Sequence, residues 1–305
     1  MTENLLAQRQ TGIGSTDASI IMGSYPWRTP LELYLEKIGE SEENEEKDEG
    51  NEENDISGNG SQFDPMGWGT ALEAIVAKRW AEITGATIVD SGNRFRRSKV
   101  NPWQLCHLDR LVADKHGQER ILEIKTAGHW SQEHWEDDGC PIWYLAQVQH
   151  QMAVTGMTRG TIACLIAGQR LVWREIVRDD EFISEMTERE GLFWSDVQER
   201  RPPKAVAGDL DALAKRFPET TIGKRVDLPI EATEIFEDWE DLKSVVKNAK
   251  EAIDAHKARL RQMMGDAEFG LLANESGAFT LREQTRKEHL VNESTSRPLR
   301  HTRKT

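Results

Sequence analysis

The chain has 305 residues, of which 37% are hydrophobic and 30% are charged, so it can form one large domain with an appendage. No apolar run approaches the roughly 20 residues that a membrane-spanning helix needs, and we expect no membrane partner. Residues 1–10 contain no apolar secretory segment. Cys106, Cys140 and Cys164 are far apart, which predicts free thiols in a reducing, cytoplasmic environment.

The formal net charge of −14 is spread unevenly along the chain. Residues 40–55 hold ten acids and one base, and residues 41–62 have almost no apolar side chain, so we predict a disordered acidic insertion at 41–62. The tail after Leu281 carries seven bases against three acids. The overall charge therefore does not exclude a nucleic-acid partner.

Periodicity and turn residues predict the elements of the first two thirds of the chain. Residues 12–38 are predicted to form two short helices around a turn at residues 24–27. A helix is predicted over residues 69–84, with its apolar stripe at Leu72, Ile75, Val76, Trp80 and Ile83 and with Glu73 in its first turn. Strands are predicted near residues 87–89, at 105–112 and at 120–126.

A further helix is predicted from Pro141 to Gly156, then a hairpin at 162–177 around Gly168, then a helix at 180–199. This order predicts an α/β (α+β) domain with a central mixed β-sheet flanked by helices.

The last third of the chain has a different pattern. From Ile235 to Met263, apolar residues alternate steps of four and three, which predicts a heptad seam along one long helix. This helix should pack against another helix, in the same chain or in a partner subunit. We therefore predict two domains, residues 1–203 and a helical, coiled-coil-like extension at 204–305 with a basic tail.

Two carboxylates and an amine are predicted to meet at the edge of the sheet. Glu123 and Lys125 stand two apart in a strand and so share one face. Asp109 lies inside an apolar run, where an unpaired charge is costly and requires a cation, and Glu73 can approach the same edge. Such a set can hold Mg²⁺ and handle the charge of a phosphodiester. The Glu-x-Lys pair alone is equally typical of a surface ion pair.

The helix after Pro141 carries a polar stripe at Tyr144, Gln147 and Gln151, while Gln149 lies off this stripe. Ordinary amide capping of the sheet is the alternative explanation for the glutamines. Taken with the carboxylates, the stripe favours a metal-dependent phosphodiesterase.

The chain resembles the YqaJ-type viral recombinases, a lambda-exonuclease-like phage nuclease family within the PD-(D/E)XK superfamily. The similarity covers residues 9–203. The blocks that carry it are Arg9 with residues 12–18, then residues 69–73, 108–112, 122–126 and 144–152.

The resemblance implies a set of metal ligands. Asp109, Glu123 and the backbone carbonyl of Ile124 would hold Mg²⁺, for which Mn²⁺ can substitute. Glu73 would assist through a second metal or a water.

The resemblance also implies roles for residues around the metal. Lys125 would orient the attacking water or stabilise the phosphorane. Gln147 would contact that water or the scissile phosphate, with Tyr144 beside it on the DNA side.

Two further residues match positions that bind the 5′-phosphate of a DNA end, Arg9 and Thr16. The family usually has Ser where Thr16 stands, which keeps a hydroxyl. It often has Asp-Gly where this chain has Asp109-Arg110, and Arg110 is therefore a candidate DNA contact.

The resemblance implies a Mg²⁺-dependent double-strand DNA exonuclease, 5′→3′, encoded by a phage or prophage. It would act on DNA ends in homologous recombination with a single-strand annealing protein, as a homo-oligomer, by resemblance a trimer. The alternatives are a structure-selective or nicking endonuclease, and a catalytically silent DNA-binding module. The module is disfavoured because binding alone does not require the lysine and three carboxylates.

Overall fold

A computed structural model describes residues 8–40, 65–90, 94–273 and 277–282. The acidic insertion predicted at 41–62 and the tail beyond residue 282 lie outside the described residues. The chain divides into two compact units, Met1–Pro218 and Glu219–Thr305. No helix among the described residues is long and apolar enough to cross a membrane.

The helices of the described chain include all those predicted from the sequence, together with α6 and two 3₁₀ turns that were not predicted. They are α1 Ser15–Ile21, α2 Pro30–Lys37, α3 Pro65–Thr84, α4 Ile142–Thr155, α5 Asp180–Gln198, α6 Leu210–Arg216 and α7 Glu231–Met264, with 3₁₀ turns at His129–Trp135 and Ala207–Asp209. Local chemistry sets their ends: a capping box between Thr29 and Glu32 begins α2, and Gly156 ends α4 in the left-handed region at φ 77°.

The strands are β1 Thr87–Asp90, β2 Arg94–Arg97, β3 Leu105–Leu108, β4 Arg110–Ala113, β5 Glu119–Ala127, β6 Arg159–Ile166, β7 Arg170–Val177, β8 Phe269–Leu271 and β9 Ala278–Thr280. The main sheet has the order β1-β4-β5-β6-β7, in which β5 and β6 are parallel and the other neighbours antiparallel. The predicted central mixed sheet is thereby confirmed, and β5 lies in its middle.

Helices cover both faces of the main sheet. On one face, Val76 and Trp80 of α3 pack with Leu122 and Ile124. On the other face, Val148 and Met152 of α4 pack around Ile121 and Ile162. Because side chains alternate along β5, Glu123 and Lys125 are on the α4 face, as predicted. The three cysteines are free.

The prediction for α3 was wrong in two respects. The helix begins at Pro65, four residues before residue 69, so Glu73 lies in its third turn instead of its first. Ile75 and Ile83 are exposed, whereas Val76, Ala77 and Trp80 are buried against the sheet. An apolar side chain at helical spacing is buried only where a neighbouring element covers it.

Asp109 was predicted inside a continuous strand, and this was also wrong. The apolar run forms two strands, β3 and β4, and Asp109 occupies the bend between them. The reason is that the chain changes sheet at this point: β3 pairs with β2 in a two-stranded sheet, while β4 pairs with β1 and β5. Asp109 consequently lies at the edge of the main sheet that is formed by strand ends, directly before the first residue of β4.

In the second unit, α7 is a helix of 34 residues, and β8 and β9 form a small hairpin after it. The long helix predicted from the heptad spacing is confirmed.

Candidate active site

The lysine and glutamate of β5 form a direct ion pair on the α4 face. Lys125 Nζ lies 2.9 Å from Glu123 Oε1. The same ammonium lies 4.9 Å from the ring centre of Tyr144 on α4, a cation–π contact. Glu123 of β5 and Tyr144 of α4 thus orient the ammonium of Lys125 at the surface of the sheet.

Two amides of α4 hold the carboxylate of Glu123, which is only 3% exposed. Gln147 Nε2 donates to Oε1 at 2.6 Å, and Gln151 Nε2 donates to Oε2 at 2.8 Å. Each carboxylate oxygen therefore has its own amide donor, and the side chain is fixed on both sides.

The catalytic set inferred from sequence omitted Gln151, although it lies four residues after Gln147 in the polar stripe of α4. Spacing of four places both amides over the same strand. Gln149 instead donates to the Val177 carbonyl at 2.8 Å and accepts from the Asp179 amide at 3.0 Å. The amide-capping explanation therefore holds for Gln149, while Gln147 and Gln151 serve the carboxylate.

Asp109 is attached to β5 through the main chain. Its Oδ2 accepts from the amide of Ile124 at 2.8 Å. Burial raises the pKa of Asp109 well above its usual range, and the charge of Glu123 raises it further, against the opposing charge of Lys125. Two carboxylates that repel each other are therefore held at one edge of the sheet.

Glu73 and Arg110 form an ion pair beside these carboxylates. Arg110 also donates to the carbonyl of Asp109 and is largely buried. A DNA phosphate could reach this guanidinium only by competing with Glu73, and the roles of both residues stay predictions.

The ligand chemistry of this edge fits a hard divalent cation. Among the described residues, no three His, Cys, Asp or Glu side chains are grouped closely enough to hold a metal ion. Two carboxylates, Asp109 and Glu123, and the main-chain carbonyl of Ile124 would form an all-oxygen set, the kind that Mg²⁺ prefers. A cation there would also offset the repulsion that raises the pKa of Asp109.

A cavity of about 90 Å³ lies next to this site. Its lining includes Arg9, Thr16 and Gln147, so the two residues predicted to bind a phosphate and one amide of the active site share one cavity. The lining also includes Ser15 and His107, polar residues that were absent from the predicted set. The Ser15 hydroxyl is buried and has no hydrogen-bond partner among the described residues.

A buried ion pair positions the helical turn that carries Arg9. Lys37 Nζ lies 2.6 Å from Asp17 Oδ2 and also donates to the carbonyl of Arg9 at 2.8 Å. Burial acts to raise the pKa of Asp17, but the charges of Lys37 and Arg9 outweigh it and hold that pKa below its usual range. The Lys37–Asp17 pair thus holds α1 and α2 together beside the cavity that Arg9 lines.

Close packing against the main chain explains Gly12. A Cβ at this position would lie 2.1 Å from the carbonyl oxygen of Trp103, so a side chain cannot be accommodated. The next residue, Ile13, donates to that carbonyl at 2.7 Å and accepts from the Leu105 amide at 2.8 Å. The segment before α1 is therefore attached to β3, which leads directly to Asp109.

The mixed sheet, covered by helices on both faces, has the fold of PD-(D/E)XK-type exonucleases. Two crystal structures of LHK-Exo, an alkaline exonuclease from Laribacter hongkongensis, have similar folds. One has a TM-score of 0.50 and 18% identity, covering 66% of this chain and 94% of that one. The other, a complex with dAMP, has a TM-score of 0.51 and 20% identity, covering 70% and 97%.

The sequence itself establishes the family. Residues 4–158 match the YqaJ-like viral recombinase domain. The chain is also 32% identical over 280 residues to the uncharacterised protein YqaJ of Bacillus subtilis (strain 168), covering 88% of this chain and 80% of that protein. This chain therefore belongs to the YqaJ-like viral recombinase family.

Proposed function

We propose that this protein is a metal-dependent exonuclease that degrades double-stranded DNA from an end, in the 5′→3′ direction, during phage-type recombination. The observation that carries the proposal is the Lys125–Glu123 pair at 2.9 Å beside the carboxylate of Asp109. An amine next to two carboxylates at one sheet edge suits hydrolysis of a phosphodiester.

Asp109, Glu123 and the carbonyl of Ile124 would hold the divalent cation, whose chemistry is to lower the pKa of a water and offset phosphate charge. Lys125 donates from the same face and would orient the attacking water or stabilise the charged transition state. The ring of Tyr144 keeps that ammonium over the site. Gln147 would exchange its bond to Glu123 for one to the water or the phosphate.

The proposal is tested with linear duplex DNA labelled separately at each 5′ end and with covalently closed circular DNA. We expect Mg²⁺ or Mn²⁺ to support release of the 5′ label from linear duplex, EDTA to abolish it, and the circles to stay intact. Cleavage of the circles would contradict the exonuclease and favour an endonuclease on the same fold.

Gln151→Met should raise the Mg²⁺ concentration that the enzyme requires for activity. Its effect on the stability of the fold should be smaller. Glu123 would lose its donor at Oε2 and with it a fixed orientation. We expect the Mg²⁺ concentration for half-maximal activity to rise about 10- to 100-fold, as is typical when a residue that orients a metal ligand is lost.

Gln149→Met is the matched control for Gln151→Met, because it removes a neighbouring buried amide that serves only the Val177–Asp179 turn. This control should lower the melting temperature and leave the Mg²⁺ requirement unchanged. Equal shifts in the Mg²⁺ requirement for both variants would refute the orienting role of Gln151.

The cavity at Arg9 and Thr16 should make the enzyme sensitive to the chemistry of the DNA end. A guanidinium and a hydroxyl can bind a terminal phosphate through hydrogen bonds, of which charged ones are worth about 1.5–3 kcal/mol each. We expect a 5′-phosphorylated duplex to be degraded at least ~10-fold faster than a 5′-hydroxyl duplex, and Arg9→Ala to narrow this ratio.

Arg97→Ala is the control for Arg9→Ala, since Arg97 is an exposed guanidinium that bonds Thr11 and the Pro102 carbonyl. It should leave the ratio between the two substrates as in the parent. If the parent degrades the 5′-phosphorylated and the 5′-hydroxyl duplex at the same rate, the cavity does not bind the DNA end. The nuclease proposal would still stand.

We also propose a single-strand annealing protein as the partner and a homo-oligomeric, by resemblance trimeric, assembly of the nuclease domain. Membership of a viral recombinase family supports the first, because a 5′→3′ exonuclease leaves the single strand that annealing requires. Co-purification with a single-strand annealing protein, and the mass of the free enzyme in solution, test these two points separately.

A further inference from the structure

An apolar seam runs along α7 and faces solvent in the described chain. The seam residues Ile235, Trp239, Leu242, Val246, Ile253 and Met263 are each between 36% and 75% exposed. A helix with an exposed apolar face of this length is stabilised when another surface covers it. Steps of four and three along the seam suit a helix as the covering surface, since this spacing keeps both seams in contact along a coiled coil.

The charges of α7 are separated along its length. Residues 231–241 hold six acids and no base, whereas residues 243–261 hold six bases and two acids. Favourable interaction with the helix dipole is confined to the first and last turns, yet the acids extend through three turns to Asp241. The separation therefore complements a second α7 that runs in the opposite direction.

We propose that α7 pairs with α7 of a second copy of this chain as an antiparallel two-stranded coiled coil. Antiparallel pairing places each seam residue against a different residue of the other helix. Centred between residues 247 and 248, the layers are Ala232 with Met263, Ile235 with Leu260, Trp239 with His256, Leu242 with Ile253, and Val246 with Ala249.

The sizes of the seam side chains favour this register over a parallel one. Antiparallel layers combine Met263 with Ala232 and Val246 with Ala249, so a small side chain receives a larger one. In a parallel pair, Trp239 would face Trp239 and Ala249 would face Ala249, which would crowd one layer and leave a void in another. The antiparallel seam would extend over about 50 Å at 1.5 Å per residue.

Charges beside the seam include one pair that favours this register and one that opposes it. Asp238 of one copy would flank Arg259 of the other, twice in each pair, and such flanking charges set partner choice and direction in coiled coils. Lys243 would lie near Lys250 of the other copy, also twice in each pair, which opposes pairing. Lys243 is bound to Glu240 and lies 4.7 Å from the ring centre of Trp239 in its own helix, and these contacts offset part of that repulsion.

The first experiment measures the mass of the full-length protein by sedimentation equilibrium. With the trimeric nuclease domain proposed above, the parent should have at least twice the mass of the double variant Leu242→Asp/Ile253→Asp. The control Ser244→Asp/Ala258→Asp adds the same charge on the outer face of α7 and should keep the parent's mass. Helix content by circular dichroism shows whether each variant folds. Equal masses for the parent and the seam variant at all concentrations would refute the pairing.

The second experiment tests the direction of the pair by charge reversal. Asp238→Arg and Arg259→Asp should each weaken self-association by about 10-fold or more, because each creates two like-charged contacts. An equimolar mixture of the two variants should associate as the parent does, because every reversed charge then meets its opposite. Failure of the mixture to recover would refute the antiparallel arrangement, since in a parallel pair position 259 does not face position 238.

Discussion

Lys125→Ala should reduce the rate of DNA cleavage by roughly 10²–10³-fold while DNA binding and folding stay close to those of the parent. The ammonium lies 2.9 Å from Glu123 and is 21% exposed, so it can reach a phosphate without supporting the core. Cleavage of end-labelled duplex and binding in Ca²⁺ measure the two effects separately.

Lys115→Ala is the matched control for Lys125→Ala. Lys115 lies in the exposed turn between β4 and β5, at the end of β4 away from Asp109. It should retain the parent's rate. If Lys125→Ala cleaves as fast as the parent, Lys125 has no part in the mechanism and the proposed chemistry fails.

Asp109→Asn should produce an enzyme that is inactive and more stable than the parent. Loss of a metal-binding oxygen should lower the cleavage rate by roughly 10³-fold. Without metal, the Asp109 carboxylate is destabilising, because burial and the charge of Glu123 raise its pKa well above the usual range. Asn keeps an oxygen for the Ile124 amide but carries no charge, so the free energy of unfolding in EDTA at neutral pH should rise.

Asp114→Asn provides the contrast to Asp109→Asn. The Asp114 carboxylate accepts from the amides of His116 and Gln118 and pairs with Arg120 at 2.9 Å, so its charge is favourable. The substitution there should lower stability and leave activity intact. A loss of stability in Asp109→Asn, measured by urea denaturation in EDTA, would show that the carboxylate is not a strained metal ligand.

Much of the site could be predicted from local spacing. A strand alternates its faces every residue, so Glu123 and Lys125 had to share one face once β5 was recognised. A helix repeats every 3.6 residues, which placed Gln147 and Gln151 on one face of α4. Both inferences depend on geometry within a single element, and the structure agrees with both.

Only the tertiary structure decided what each polar group contacts across elements. Glu73 pairs with Arg110, 37 residues away, because α3 crosses the face of the sheet where β4 begins. Asp109 occupies a bend because β3 and β4 belong to different sheets, and the continuous apolar run gave no sign of that change. Residue types and spacing thus determined most of the elements and the shared faces within β5 and α4, while contacts between distant segments, which depend on packing of the whole domain, determined the break at Asp109 and the partners of each charge.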